Sequence, residues 1–261
     1  MSSASTPPFF IFLHIEKTAG TTLHKALQST LKGYQIVKQH VGPLGSDPDL
    51  YYSSAQLTSW LQKAPYLNAL GGHGLRIFAN YESIGRPIHY ATFLREPTAR
   101  YLSHYYFQKE LHHLPWTLES YLEETRFHNV MCQRICGKAS AKEAIQLLHE
   151  KNVFVGITEH FQKSLPKLIA HLQRNGIHAL NSWIPNAKNV REKRGRPSSD
   201  EQENALSPEI RSANQEDEKL YQHFLQGMSS SGFPSKPATL CHRARRQINR
   251  IQRLHFRRLD S

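Results

Sequence analysis

The chain has 261 residues, 39% of them hydrophobic, and carries 33 Lys and Arg against 21 Asp and Glu for a formal net charge of +12. That length accommodates one large α/β domain with a small appendage and a packed core, and the charge points to anionic partners: nucleic acid, nucleotide, anionic glycan or lipid surface. Seven arginines and a single acid, Asp260, between Cys241 and Ser261 carry half of the excess, so the body is only mildly basic and does not read as a nucleic-acid binder.

The N-terminus lacks a positive n-region, and no stretch approaches ~18 uninterrupted apolar residues. Cys132, Cys136 and Cys241 make no even disulfide framework, and His128 beside the first two does not complete a zinc set, so free thiols in a reducing compartment are expected. A soluble, cytoplasmic protein follows as the expectation, with residues 1–8 disordered, a domain over 9–228, and a linker and basic tail over 229–261.

In chain order, "FFIFLHI" (9–15) reads as a buried strand, rich in aromatic and β-branched residues. Thr21 to Leu31 continues as a helix with Leu23, Leu27 and Leu31 on one side. "YQIVKQH" (34–40) is a second strand, and Ser53 to Lys63 a helix. "YLNALGGHG" (66–74) is a strand ending in a glycine-flanked histidine, and "PIHYATFLREP" (87–97) another, with Pro97 placed to open the helix "TARYLSHYYFQKE". Residues 115–150 are helical in pattern, "NVFVGITEHF" (152–161) is a strand, a helix runs from Gln162 to Arg174, and a last helix surrounds "NQEDEKLYQHFL". The order predicts an α/β fold, a mainly parallel sheet flanked by helices in three layers. Ligands of such sheets sit at the carboxyl ends of the strands, where "HIEKTAGTT", "GGHG", "FLREP" and "GITEH" fall.

The first of these joins a strand to a helix N-terminus, whose unbonded N–H groups and dipole favour an anion. Gly20 lets the backbone approach, Thr21 and Thr22 add hydroxyls, and Lys17 adds a full charge, so the bound group is phosphate-like. The loop is not the Walker A pattern G-x-x-x-x-G-K-[ST], because Lys17 precedes Gly20 and no first glycine exists. The strand "HYATFLRE" presents Arg95 where a P-loop enzyme places a metal-organising Asp. Together the loops describe a ligand with two anionic groups and no required divalent metal.

"HIEKTAGTT" followed by "FLREPTARYLSHYY" resembles the paired cofactor motifs of the sulfotransferases that use 3′-phosphoadenosine 5′-phosphosulfate (PAPS), particularly the glycan 2-O-sulfotransferases. Glu16 stands where that family has proline, a change expected to matter little. The resemblance, which extends through "VFVGITEHFQKSLPKL" and "NQEDEKLYQHF", implies a P-loop-like sulfotransferase fold. It implies that Lys17, Thr18, Ala19, Gly20, Thr21 and Thr22 surround the 5′-phosphosulfate, that Arg95 and Ser103 hold the 3′-phosphate, and that the product is 3′-phosphoadenosine 5′-phosphate (PAP). "NVREKRGRP" (189–197) resembles the family's late cofactor loop, which makes Lys193, Arg194 and Gly195 further contacts.

In-line sulfuryl transfer needs a cation at the leaving phosphate and a base for the acceptor hydroxyl. Lys17 meets the first need. His73 is the preferred base, because Gly71, Gly72 and Gly74 leave it exposed beside the cofactor loops and Gly72–His73 matches the second half of the family's His-Gly-His. Gly71 replaces its first histidine, which implies a different acceptor. His14 and Glu16 are alternative bases, with His14 expected to be structural, and Glu159 at another strand end has no assigned role. His112, His113 and Trp116 follow the Ser103 helix, where an acceptor cleft could form.

The acceptor implied is a hydroxyl on a carbohydrate or glycolipid in a bacterial setting, and the arginine-rich tail could touch an anionic surface. A P-loop nucleotide kinase and a non-catalytic polyanion-binding protein of the same fold are the competing readings.

Overall fold

The computed structural model describes residues 6–37, 50–112, 115–179 and 206–229. Its centre is a five-stranded parallel sheet of order β2-β3-β1-β4-β5, built from β1 (Phe9–Leu13), β2 (Tyr34–Ile36), β3 (Ala69–Gly72), β4 (Ile88–Leu94) and β5 (Phe154–Ile157). All five residues of β1 are buried, as expected of a strand covered on both faces. Phe9, Ile11 and Leu13 enter one core cluster and Phe10 and Phe12 the other, the period-two alternation of a strand between two helical layers.

One layer holds α1 (Gly20–Thr30) and α7 (Phe161–Arg174), whose Leu23, Leu27, Leu165, Leu168 and Leu172 pack on Phe10 and Phe12. The opposite layer holds α2 (Ser54–Lys63), α5 (Val130–Cys136), α6 (Ala141–Glu150) and α9 (Gln215–Ser229). Ser53 starts α2 with a capping box: its hydroxyl accepts from Gln56 N while Gln56 Oε1 accepts from Ser53 N at 2.7 Å. Between the layers and the far edge, α3 (Pro97–His112), α4 (Leu118–Leu122) and α8 (Ser207–Ala213) close a third cluster around Tyr101, Tyr121 and Phe127.

The strands are shorter than the sequence suggests. The strand expected over 66–74 pairs only from Ala69, and the one expected over 152–161 pairs only from Phe154, since Asn152 turns with a left-handed backbone (φ 47°). The helical stretch of 115–150 is three helices with a 3₁₀ turn, broken at Asn129 (φ 49°) and Gly137 (φ 78°), the latter a left-handed helix end. Residues 38–40 of the second expected strand lie outside the described residues.

The first turn of α9 caps the two helices beneath it. Asp217 accepts from the backbone N–H groups of Met131 (2.9 Å) and Cys132 (2.8 Å), and Glu216 accepts from that of Ala141 (2.9 Å). Carboxylates at these N-termini satisfy donors no helix can satisfy itself. Cys132 and Cys136 are free thiols. Among the described residues no helix is long and apolar enough to cross a membrane. Asp217→Ala leaves two buried donors without acceptors and is expected to lower stability by about 2–4 kcal/mol, measured by urea unfolding, while Asp217→Asn, which keeps one acceptor oxygen, loses less.

Candidate functional site

Because every strand pair is parallel, all strands end at one edge of the sheet. After β1 the chain moves to the β2 side and after β4 to the β5 side, so the crevice between β1 and β4 is the topological switch point where open α/β sheets bind ligands. The loop 14–19 leaves β1 there, and Arg95 leaves β4. Arg95 spans the crevice, donating from Nη1 to the carbonyl oxygen of Lys17 at 3.1 Å.

The loop is held in an unusual backbone shape. Lys17 (φ 69°) and Ala19 (φ 63°) are left-handed on either side of Thr18, and the other non-glycine residues of that kind among the described residues are all asparagines. Left-handed lysine and alanine are disfavoured, and such strain concentrates at functional sites. Alternation of this sort turns successive N–H groups toward one point, the concavity that receives anions. Thr18 is fully buried, and its hydroxyl donates to the Ile15 carbonyl at 2.9 Å, so its side chain closes the loop. Thr21 is exposed at the start of α1 and Thr22 is buried. The Lys17 ammonium lies 4.3 Å from the centre of the Phe107 ring. Ser103 stands four residues before Phe107 in α3 and so shares its face, which brings Lys17, Arg95 and Ser103 to one side of the crevice.

Gly20 is required by a neighbour. A Cβ built on it would stand 1.6 Å from His14 Nε2, so the His14 ring is seated against the start of α1. The same ring stacks on His73, with centroids 3.9 Å apart and planes 28° apart. His14 is thus part of the loop's architecture, immediately past the last paired residue of β1.

His73 is half-buried, not exposed as the flanking glycines suggest. The glycines make room for neighbours: a Cβ on Gly71 would meet Tyr34 Oη at 2.0 Å, one on Gly72 the Val37 carbonyl oxygen at 2.5 Å, and one on Gly74 the Tyr52 ring at 2.8 Å. His73 Nδ1 lies 2.8 Å from the His14 carbonyl oxygen. A carbonyl only accepts, so Nδ1 carries the proton and Nε2 keeps its lone pair. Nε2 has no partner among the described residues and is not one of the sealed-off polar atoms. Burial lowers the His73 pKa below the usual 6.5, against the opposing pull of Glu16, which favours the neutral ring at neutral pH.

Glu16 does more than shape the loop. It forms a largely buried ion pair with Arg134 of α5, 3.0 Å between Arg134 Nη2 and Glu16 Oε1, with Arg134 Nε also donating to it. The pair anchors the loop to the layer behind it and engages the Glu16 carboxylate as a counter-ion. Arg76, fully buried, donates from Nη1 to the His73 carbonyl and so holds the turn from beneath. Glu159 accepts from Glu96 N (3.1 Å) and from the Tyr221 hydroxyl (3.1 Å). Trp116 packs beside Tyr121 and Phe127. Lys193, Arg194, Gly195, His113 and the arginine-rich tail lie outside the described residues.

Sequence reasoning missed His24, Tyr34, Arg76 and Arg134. His24 had a signal: it falls on the stripe Gly20, His24, Leu27, Leu31, a buried polar residue on an apolar helix face. Tyr34, Arg76 and Arg134 had none, because a buried polar contact made across a turn or between elements leaves no periodic pattern in the sequence.

No protein-family model and no curated protein matches the chain. Among solved structures it is similar to a sulfotransferase from Alicyclobacillus acidocaldarius, at 13% identity and a TM-score of 0.47, covering 82% of this chain and 96% of that one. It is also similar to mouse sulfotransferase SULT7A1 complexed with PAP, at 16% identity and a TM-score of 0.37, covering 88% of this chain and 68% of that one. At that level the likeness assigns no residue a role.

Gly20→Ala forces the His14 ring away from α1 and is expected to cost about 1–3 kcal/mol, read as a lower urea midpoint; an unchanged midpoint would mean that the ring is not seated there.

Proposed function

We propose that the chain is a sulfotransferase that moves the sulfuryl group of PAPS to a hydroxyl of a carbohydrate or glycolipid acceptor. One observation carries the reading: a neutral histidine, His73, whose proton is held at Nδ1 by the His14 carbonyl, opens its Nε2 lone pair beside a loop built for an anion. The motif resemblance of "HIEKTAGTT" and "FLREPTARYLSHYY" supports it independently, and this match is to the motifs of the family, not to either solved structure.

The residues present suit the donor. The Gly20 turn, the left-handed pair Lys17 and Ala19 and the N-terminus of α1 suit a 5′-phosphosulfate, and Arg95 with Ser103 suits the separate 3′-phosphate. When bound, PAPS supplies an activated sulfuryl group with PAP as its leaving group. The acceptor oxygen forms the new bond to sulfur as the bond from sulfur to the phosphate oxygen breaks. The hydroxyl proton passes to His73 Nε2, and the charge gathering on the departing phosphate is met by Lys17 and the helix N-terminus. No step calls for a divalent metal. Gly71 stands where the glycan 2-O-sulfotransferases have their first histidine, and Tyr34 with His24 fills the space that side chain would take, which supports an acceptor bound differently from theirs.

Thermal unfolding tests the donor site. PAP at a hundredfold excess over its Kd, without magnesium, is expected to add about 2.7 kcal/mol, roughly 5–10 °C in a domain of this size, while ATP with magnesium adds little; the reverse pattern would favour a nucleotide kinase. His73→Ala keeps the PAP shift and lowers kcat on an identified acceptor by about 10²–10⁴. A mutant that binds PAP and turns over at the wild-type rate would remove His73 from the chemistry.

The pH profile has a definite sign. The lowered pKa keeps His73 in its basic form to more acid pH than a free imidazole, so kcat/KM should rise through an apparent pKa below 6.5 and stay level above it. A limb centred above 6.5 would point to another base.

A further inference from the structure

Behind the two stacked imidazoles runs a chain of buried polar groups that the proposed chemistry does not use. The Tyr34 hydroxyl lies 2.6 Å from His24 Nδ1, and His24 Nε2 lies 3.0 Å from His14 Nδ1. Tyr34 comes from β2, His24 from α1 and His14 from the end of β1, so three separate elements converge to make two hydrogen bonds.

The direction of the protons follows from burial. Tyr34 is fully buried, and its hydroxyl has no second partner among the described residues. Were it only to accept, its proton would be sealed away from water without an acceptor, which costs the full desolvation of that group. Tyr34 therefore donates to His24 Nδ1. His24, lacking a proton at Nδ1, carries it at Nε2 and donates to His14 Nδ1. His14 then carries its own proton at Nε2. That atom is the one seated against Gly20, it has no partner among the described residues, and it is not one of the sealed-off buried polar atoms. Burial, aided by the nearby His73, holds both rings neutral, with the pKa of His24 lowered to about 3 and that of His14 well below the ordinary value. Glu16 pulls the other way on His14, and Lys17 adds to the lowering.

We propose that Tyr34 and His24 are positioning residues that fix His14 as an Nε2–H donor to the anion at the Gly20 turn, opposite in polarity to the lone pair of the stacked His73. The proposal rests on the sulfotransferase reading for the identity of the anion, the 5′-phosphate side of the donor. The two faces of the site receive complementary roles from one residue. The His14 carbonyl sets His73 as an acceptor, which a substrate hydroxyl needs, and the relay sets the His14 ring as a donor, which a phosphate or sulfate oxygen needs. The same arrangement explains Gly71: a side chain there would collide with Tyr34 Oη and His24 Cε1, the first relay contact.

Nitrogen-15 NMR of histidine-labelled full-length protein, with PAP as the probe ligand, tests the proposal. In the wild type the His14 signals should show a protonated Nε2 and an unprotonated Nδ1, and PAP should perturb the Nε2 signal. Tyr34→Phe and His24→Leu are expected to weaken PAP binding about tenfold, the order of a lost hydrogen bond to a charged group, and to mix the His14 tautomers. His24→Gln restores both properties, since its carbonyl accepts from Tyr34 and its amide donates to His14; a merely structural role for His24 would not be rescued by a side chain of different shape. Tyr34→Phe removes one oxygen and keeps the ring, and a folded circular-dichroism spectrum qualifies each variant. A wild-type His14 protonated at Nδ1, or unchanged PAP affinity in both disrupting variants, overturns the relay and leaves the sulfotransferase reading standing. Failure of PAP to bind the wild type overturns that reading and the proposal with it.

Discussion

The site is organised by one contact, the His14 ring against the backbone of Gly20. Nothing but a hydrogen fits on Gly20, because a Cβ would lie 1.6 Å from His14 Nε2. Seating the ring there fixes the start of α1 against the end of β1. The intervening loop must then turn sharply, and it does so through left-handed Lys17 and Ala19. The same residue gives His73 its stacking partner through the ring and its hydrogen-bond acceptor through the backbone carbonyl. The disfavoured backbone of Lys17 and Ala19 is thereby tied to a packed contact, which is how such a backbone persists.

Around that contact the fold supplies rigidity from every direction. Arg95 bridges from β4 to the Lys17 carbonyl, Thr18 closes the loop on itself, and the Glu16–Arg134 pair ties it to the helical layer behind. A buried ion pair is weak evidence for stability, since desolvation opposes its attraction; its worth here lies in holding a loop that must keep one geometry. Arg76 does the same for the His73 turn. The result is a preorganised set of donors and one acceptor, the kind of fixed polar arrangement that needs no reorganisation when a charged group meets it.

Much of this was legible in the chain. The aromatic run of β1, the Leu23, Leu27, Leu31 stripe and the Pro97 helix start announce themselves through period and local stereochemistry, which depend only on neighbours in sequence. The strand ends carrying Lys17, His73 and Arg95 could be gathered to one edge on paper, because parallel order follows from the alternation of strands and helices. The exposed His73 was misjudged for a physical reason. Glycines beside a histidine look like open space, but in a packed core they are sockets, here for Tyr34, Val37 and Tyr52.

By itself, then, the sequence determined the layered α/β architecture, the strand–loop–helix junction at Lys17 to Thr22 and the chemical types at the crevice, since these arise from periodicity, local stereochemistry and residue chemistry that act over a few positions. Tertiary structure alone decided protonation and polarity: which nitrogen of His73 holds its proton, that Glu16 pairs with Arg134, and that His14, His24 and Tyr34 form one chain. A tautomer is set by the groups that face each ring nitrogen, and those groups arrive from β1, α1, β2 and the β3 turn only when the sheet is assembled.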